Sequence, residues 1–112
     1  MTHIELFRVY LRYYADKNLE AISAMLAEDV HLRDWNISVN GKAEVVRETA
    51  KNFAEAASID IQILDVYENA DTVAGELRIV VDGTIDLYVV DVVTFNKHSK
   101  VTAIRAYKGR GD

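Results

Sequence analysis

One aspartate interrupts an apolar strand face in the last third of the chain. Side chains alternate across a β-strand, so the run from Thr84 to Asn96 places Asp91 on a face whose other members are apolar. Those members are Ile85, Leu87, Val89, Val93 and Phe95. A carboxyl group among such neighbours loses hydration, which disfavours its ionised form and raises its pKa. Asp91 is therefore a candidate acid that donates a hydrogen bond at neutral pH.

Two further residues have side chains suited to proton transfer. Asp34 shares strand parity with Val30 and Leu32 and stands at a strand end beside a loop, a position that suits a general base. Tyr10 lies in the apolar stripe of the first predicted helix, where its phenol is a potential hydroxyl donor.

Each candidate also has a structural interpretation, which the residues alone leave open. Asp91 would then tie down a loop or a helix end, or pair with Arg105 on the neighbouring strand. Asp34 would cap or close a loop. Tyr10 would be a large core residue whose hydroxyl has found an acceptor.

The elements that carry these residues follow from hydrophobic periodicity. A helical period runs from Ile4 to about Asp16 and again from Leu19 to near Asp29. Val30 to Trp35 is predicted as a short strand and Asn36 to Asn40 as a loop. Gly41 then opens a third helix. Its predicted apolar face consists of Val45, Val46, Thr49, Phe53 and Ala57.

The second half of the chain changes to a period of two. The predicted strands are Ile59 to Glu68, Thr72 to Asp82, Thr84 to Asn96 and Lys100 to Lys108. Asp82-Gly83 is a strong two-residue hairpin signal. Helices followed by a meander predict an α+β fold, a curved antiparallel sheet wrapped around three N-terminal helices. We expect a single domain over residues 1–112.

Composition excludes several classes of function. The chain has 112 residues, half of them apolar, and no cysteine, so thiolate and zinc-thiolate chemistry are excluded. A net charge of -5 argues against nucleic acid as a partner. No apolar run approaches the roughly 20 residues of a membrane helix, and no signal peptide precedes the first helix, so we expect a cytoplasmic protein. The three histidines lack metal-ligand spacing, and we expect neither a metal nor a cofactor.

Several segments resemble the ketosteroid isomerases and the broader polyketide-cyclase-like (SnoaL-like) group, which share the cone-shaped nuclear transport factor 2-like fold. The resemblance covers most of the chain and needs a gap only after Asp34. Its segments are Val9-Tyr10, Asn18 to Ile22, Ala27 to Asp34, Val89 to Asn96, Lys100-Val101 and Arg105 to Tyr107.

The resemblance implies a role for each candidate. In ketosteroid isomerases an aspartate base moves a proton between carbons next to a carbonyl, while a tyrosine and a protonated aspartate donate hydrogen bonds to the dienolate oxygen. The matching positions here are Asp34 for the base, and Tyr10 and Asp91 for the donors. The implied partner is a small apolar carbonyl compound. A homodimer is also implied, formed through the outer sheet face around Tyr88 and Val90 together with Val92.

The sequence departs from the family pattern at the residues that would support Tyr10. Leu26 and Thr49 stand where many members have tyrosines, and Trp35 directly follows Asp34 in a shortened loop. A non-catalytic binding or carrier protein is therefore the alternative. A structural protein whose cavity is filled by Tyr10, Phe53 and Trp35, and a polyketide-cyclase or epoxide-hydrolase relative, are further interpretations.

Overall fold

Helices occupy the first half of the chain and long strands the second half. The structure, a computed structural model, describes residues 1–110, and the predicted domain's last two residues, Gly111 and Asp112, lie outside the described residues. No helix in the described part has the length and apolarity needed to cross a membrane. The elements are α1 (His3–Ala15), α2 (Leu19–Met25), β1 (Leu26–Arg33), β2 (Ser38–Asn40), α3 (Lys42–Glu55), β3 (Ile59–Glu68), β4 (Thr72–Val81), β5 (Ile85–Phe95) and β6 (Val101–Lys108).

Helix α1 begins at a capping box. The Thr2 hydroxyl accepts the backbone N–H of Glu5 at 3.1 Å, and the Glu5 carboxylate accepts the backbone N–H of Thr2 at 2.8 Å. These bonds satisfy amides that the first turn of a helix leaves unpaired. The buried face of α1 consists of Phe7, Tyr10 and Leu11, as the helical period predicts.

The second helix is shorter than the sequence predicts. It ends at Met25 instead of near Asp29, and β1 begins immediately at Leu26. The pairing of Leu26 with Val101 of β6 makes this segment a strand, and a register shift follows before His31. The buried residues here are Leu26, Ala27 and Val30. Because the irregularity breaks the period of two, this spacing is equally compatible with a helix.

Two further local predictions are corrected around Gly41. The segment Asn36 to Asn40, predicted as a loop, contains β2, which pairs antiparallel with β1. Three residues are too few for an alternating pattern to be read. Gly41 precedes α3 as predicted, at a φ of 90° that glycine adopts easily. Ala57, predicted on the apolar face of α3, is exposed beyond the helix end, and Ala56 is buried instead.

Six strands of the described chain form one curved sheet in the order β2-β1-β6-β5-β4-β3. The predicted meander of β3 to β6 is antiparallel throughout. Asp82 and Gly83 both have positive φ in the hairpin turn, where the Thr84 N–H donates to the Val81 carbonyl at 3.2 Å. Such turns match the twist of the flanking strands. The β1–β6 pair is parallel, a feature that alternation in the sequence does not reveal.

The helices cover the concave face of this sheet. Helix α1 contacts β3 and β4, and α3 contacts β1. Helix and sheet approach each other closely at Gly75, where an added Cβ would lie 2.5 Å from Cζ of Phe7. Because glycine has no side chain, the Phe7 ring rests directly on the strand backbone. The largest fully buried side chains are Phe7, Ile22, Leu77, Val30, Val45, Val73, Val93 and Val101.

Candidate functional site

A cavity of about 390 Å³ opens between α1, α3 and the concave face of the sheet. Tyr10, Asp34 and Asp91 all line this cavity, so the fold brings the three predicted residues together. Most of its wall is apolar, as is usual for small-molecule sites. The sheet contributes Ile61, Ile79, Leu87, Val89, Ile104 and Ala106 to that wall.

Asp91 lines the cavity from β5. Its neighbours across the sheet are Gly75 on β4 and Ala106 on β6, which are too small to cover it. Loss of hydration, and to a smaller extent repulsion from Asp34, raise the pKa of Asp91 to about 7. The carboxyl group is thus a hydrogen-bond donor in a large fraction of molecules at neutral pH, as the strand parity predicts.

The structural interpretation of Asp91 does not match the geometry. Arg105 pairs in register with Val92, and its side chain therefore projects to the opposite face from Asp91. Within residues 1–110, the Asp91 carboxyl group has no hydrogen bond or ion pair with another side chain or with the backbone. Asp91 faces the cavity and holds no loop or helix end.

Asp34 closes a loop and also lines the cavity, two roles that the sequence left open as alternatives. Its Oδ1 accepts the backbone N–H of Asn36 at 2.7 Å and of Ile37 at 2.8 Å, which closes the turn after β1. The same side chain lines the cavity and interacts electrostatically with Asp91. Two amide donors stabilise negative charge on the carboxylate. Its Oδ2 makes no hydrogen bond within the described chain and remains an acceptor.

Tyr10 is buried at 4 % exposure and lines the cavity. Burial raises the pKa of Tyr10 well above its ordinary value, and electrostatic repulsion from Tyr14 and Asp91 adds to this rise. The hydroxyl therefore keeps its proton. Its hydroxyl has no hydrogen bond within residues 1–110. The residues at the family's supporting positions explain this. Leu26 has no polar side-chain atom, and Thr49 Oγ1 donates to the Val45 carbonyl of its own helix at 2.8 Å.

Tyr14 is a site residue that the sequence analysis did not single out. It lies one helical turn after Tyr10 and lines the same cavity. Its hydroxyl oxygen accepts a hydrogen bond from Asn52 Nδ2 on α3 at 3.1 Å, and its ring packs edge-on against Phe53 with centroids 4.9 Å apart. Burial raises the pKa of Tyr14, and repulsion from Asp91 and Asp34 adds to that rise, while the Asn52 hydrogen bond opposes it. The spacing of four residues between two tyrosines on one apolar stripe was the available signal.

The mouth of the cavity is polar and is tied together by Asp82. Asp82 Oδ1 accepts the backbone N–H of Ala57 at 2.6 Å and of Ser58 at 3.2 Å, which links the β4–β5 hairpin to the segment after α3. Trp35 lines the same opening and is 44 % exposed. The structural interpretation expects Tyr10, Phe53 and Trp35 to fill the cavity. The cavity is instead open.

Two of the three histidines, His3 and His31, make side-chain contacts outside the cavity lining. His3 stacks on Phe95 with ring centroids 5.0 Å apart, and His31 Nε2 lies 3.0 Å from Ser38 Oγ. Among the residues that the structure describes, no group of three or more histidine, aspartate or glutamate side chains is arranged to hold a metal ion. The chemistry that the cavity offers is that of two phenols, Tyr10 and Tyr14, with Asp34 and Asp91 on a mostly apolar wall, while Glu55 and Asp82 add further carboxyl groups to the lining.

This arrangement separates acid from base. A carboxyl group with a pKa near 7 can donate a proton in a hydrogen bond, and a second carboxylate with a free oxygen can accept one. Phenols and a neutral carboxyl group in an apolar cavity bind an oxygen atom that gains negative charge more strongly than water does. The cavity can therefore stabilise an enolate.

Comparison with known families identifies the chain at the level of a domain. The model of the SnoaL-like domain matches residues 7–104. A comparison with curated protein sequences finds no match.

Solved structures with the same fold have little sequence in common with this chain. An NTF2-like protein of unknown function from Cytophaga hutchinsonii superposes with a TM-score of 0.82 at 14 % identity, covering 97 % of this chain and 91 % of that one. A candidate ketosteroid isomerase from Kribbella flavida gives 0.82 at 16 % identity, with 96 % and 78 % covered. A computationally designed 17-OHP binder gives 0.79 at 18 % identity, with 89 % and 87 % covered. At these identities the comparison establishes the fold alone.

Proposed function

The chain belongs to the SnoaL-like domain family, and from that premise we propose that its cavity binds a small, mostly apolar carbonyl compound and moves a proton between carbons next to the carbonyl. One observation carries the proposal: Asp91, Asp34 and a phenol of α1 line the same apolar cavity. Because its pKa is raised, Asp91 can donate a hydrogen bond, whereas Asp34 has a free Oδ2 that can accept a proton. The two acids therefore have different roles.

The proposed reaction has two proton transfers. Asp34 Oδ2 removes a proton from the carbon next to the carbonyl, and the C–H electron pair forms the carbon–carbon double bond of an enolate. The carbonyl oxygen then carries the negative charge and accepts hydrogen bonds from Asp91 and from the phenol, which the family pattern assigns to Tyr10. The protonated Asp34 returns the proton to another carbon of the conjugated system, so the product is an isomer of the substrate.

A naphthol, a phenolic mimic of the enolate, tests the oxygen site. We expect absorbance and fluorescence titrations to reveal binding of the naphthol in its ionised form. Asp91→Leu, which removes the donor that an asparagine would keep, should weaken this binding by about tenfold or more, since hydrogen bonds to charged groups contribute about 1.5–3 kcal/mol. Asp86→Asn is the matched control, because Asp86 is on the same strand but pairs with Arg78 at 2.9 Å on the outer face. Wild-type protein that does not bind the naphthol would contradict the proposal.

Asp34→Asn tests the base without breaking the turn. The amide oxygen of asparagine can still accept the backbone N–H groups of Asn36 and Ile37, but the side chain no longer takes up a proton. With a β,γ-unsaturated ketone as substrate, we expect this variant to lose about 10²- to 10⁴-fold in kcat, followed by absorbance of the conjugated product. Naphthol binding should be kept or strengthened because a negative charge is removed.

A non-catalytic carrier is the second candidate. The observation that favours it is the engagement of Asp34 Oδ1 by two backbone amides, which is sufficient to account for an aspartate at this position. The similarity of the fold to a designed 17-OHP binder also agrees with simple binding. A carrier predicts naphthol binding by the wild type and no turnover of the unsaturated ketone by either the wild type or Asp34→Asn.

A homodimer formed through the outer sheet face is a further part of the proposal. Tyr88, Val90 and Val92 are only half-buried there in the single chain. Tyr107, which pairs in register with Val90, is 57 % exposed beside them. These apolar side chains stand beside their in-register neighbours Glu76, Arg78 and Arg105, and an exposed apolar group with a polar surround is typical of protein contacts.

A further inference from the structure

The two phenols of the cavity differ in how they are held. Tyr10 and Tyr14 lie four residues apart on α1, with ring centroids 6.1 Å apart, and both line the cavity. The Tyr14 hydroxyl has a hydrogen-bond partner on another helix, Asn52, whereas the Tyr10 hydroxyl has none within residues 1–110. A side chain whose rotamer is fixed by a neighbouring hydrogen bond presents its hydroxyl with less loss of conformational freedom.

The direction of the Asn52 hydrogen bond leaves Tyr14 able to donate. Asn52 Nδ2 donates to the phenolic oxygen, so the Tyr14 O–H proton is not used in this contact. A phenol that accepts one hydrogen bond becomes a stronger donor in the next, because successive hydrogen bonds polarise one another. Asn52 also lines the cavity, so the pair bridges α1 and α3 at the cavity wall.

Tyr14 also differs from Tyr10 in its electrostatic relation to Asp34 and Asp91, which line the same cavity. It interacts electrostatically with Asp91 and with Asp34, whereas Tyr10 interacts with only one of these two acids, Asp91. An oxygen that gains charge while Asp34 removes a proton from the adjacent carbon must lie between acid and base. Of the two phenols, Tyr14 is the one whose pKa is raised by both of these acids, which agrees with such a position.

We propose that Tyr14, supported by Asn52, is the phenolic donor to the ligand's carbonyl oxygen in this protein, and that Tyr10 forms part of the cavity wall. This inference rests on the proposed function and changes the residue that the family pattern assigns. The proposed donor lies one helical turn later on α1 than the family pattern places it. Leu26 and Thr49 stand where the family has supporting tyrosines, and Asn52 on α3 supplies the support instead. The expected ligand class is unchanged.

Naphthol titration of matched tyrosine variants tests the assignment. We expect Tyr14→Phe to weaken binding of the ionised naphthol by about tenfold or more, and Tyr10→Phe by less than about threefold. Tyr13→Phe is the control, because Tyr13 is on the same helix and does not line the cavity. Equal losses for Tyr10→Phe and Tyr14→Phe, or a larger loss for Tyr10→Phe, would overturn the assignment and leave the proposed function standing.

A double-variant cycle tests the part played by Asn52. Asn52→Leu keeps the size of the side chain and removes the hydrogen bond, so it should weaken naphthol binding in the wild type but have no effect when Tyr14 is already phenylalanine. An equal effect in both backgrounds would show that Asn52 does not act through Tyr14. If the wild type and Asp86→Asn both fail to bind the naphthol, the proposed function itself is overturned, which distinguishes the two failures.

Discussion

At the scale of single residues, strand alternation and helical periodicity locate Asp34 and Asp91. They do not show which tyrosine hydroxyl is held by a hydrogen bond. Asp91 is predictable because strand alternation is strict over eleven residues, and the cavity side of β5 is the face that alternation selects. Tyr14 is harder to find, because its partner Asn52 lies 38 residues away in the sequence. No local pattern connects them, and only the packing of α1 against α3 does.

The raised pKa of Asp91 predicts a pH-dependent stability. Its value rises from 3.8 in the reference state to about 7 in the folded protein, so the folded state binds more protons between these values. The free energy of unfolding should therefore fall as pH rises from about 4 to 7. Asp91→Asn should remove this slope and gain roughly 2–4 kcal/mol over the wild type at pH 8, measured by urea unfolding at pH 5 and pH 8.

Asp86→Asn provides the comparison for this measurement. Asp86 is exposed, so its replacement should leave the pH slope of the wild type intact. Equal stability of Asp91→Asn and wild type at pH 8, with the same slope in both, would contradict the assignment of the slope to Asp91.

At the scale of elements, long periodic segments are predictable and short or irregular ones are not. The four long strands of the second half agree with their predicted ranges to within one residue at each end, because each alternates over at least eight residues. The boundary between α2 and β1 is lost because the register shift in β1 disturbs the alternation. The parallel β1–β6 pair depends on contacts that are about 70 residues apart in sequence, for which local patterns carry no information.

The contact between α1 and β4 at Gly75 gives a prediction for the element scale. In Gly75→Ala the new methyl group would lie 2.5 Å from Phe7, so the helix must shift or the ring must change rotamer. We expect a loss of about 1–3 kcal/mol in the free energy of unfolding, measured by denaturant titration.

A compensating variant distinguishes overpacking from a backbone effect. Phe7→Leu removes ring atoms from the contact, so the double variant should be less destabilised than the sum of the two single variants. Additive losses would mean that Phe7 does not cause the destabilisation of Gly75→Ala.

At the scale of the whole molecule, the family resemblance predicts the arrangement that local patterns cannot. The fold is confirmed by the match to the SnoaL-like domain model and by superposition on an NTF2-like protein with a TM-score of 0.82. The resemblance does not predict the depth of the cavity or its opening beside Trp35, because these depend on the short turn after Asp34.

The proposed homodimer gives a prediction at this scale. Val90→Arg places a charge in the centre of the outer-face group and should convert a dimer into a monomer, as measured by sedimentation equilibrium. Leu64→Arg is the control, because Leu64 is 48 % exposed on the edge strand β3, away from that group. A wild-type protein that sediments as a monomer at all concentrations would refute the dimer.

The position of β6 between β1 and β5 has a consequence for the size of the ligand that the cavity accepts. Asp91 pairs with Ala106, and Asp34 follows the Arg33–Arg105 pair by one residue, just beyond the end of β1, so Ala106 stands between the segments that carry the two acids. Neighbouring strands are about 4.8 Å apart, so the backbones that carry the two acids are about 10 Å apart. The methyl group of Ala106 lies between them and limits how deeply a flat ring can settle. A change at this one alanine would alter the width of ligand that is accepted and leave both carboxyl groups in place.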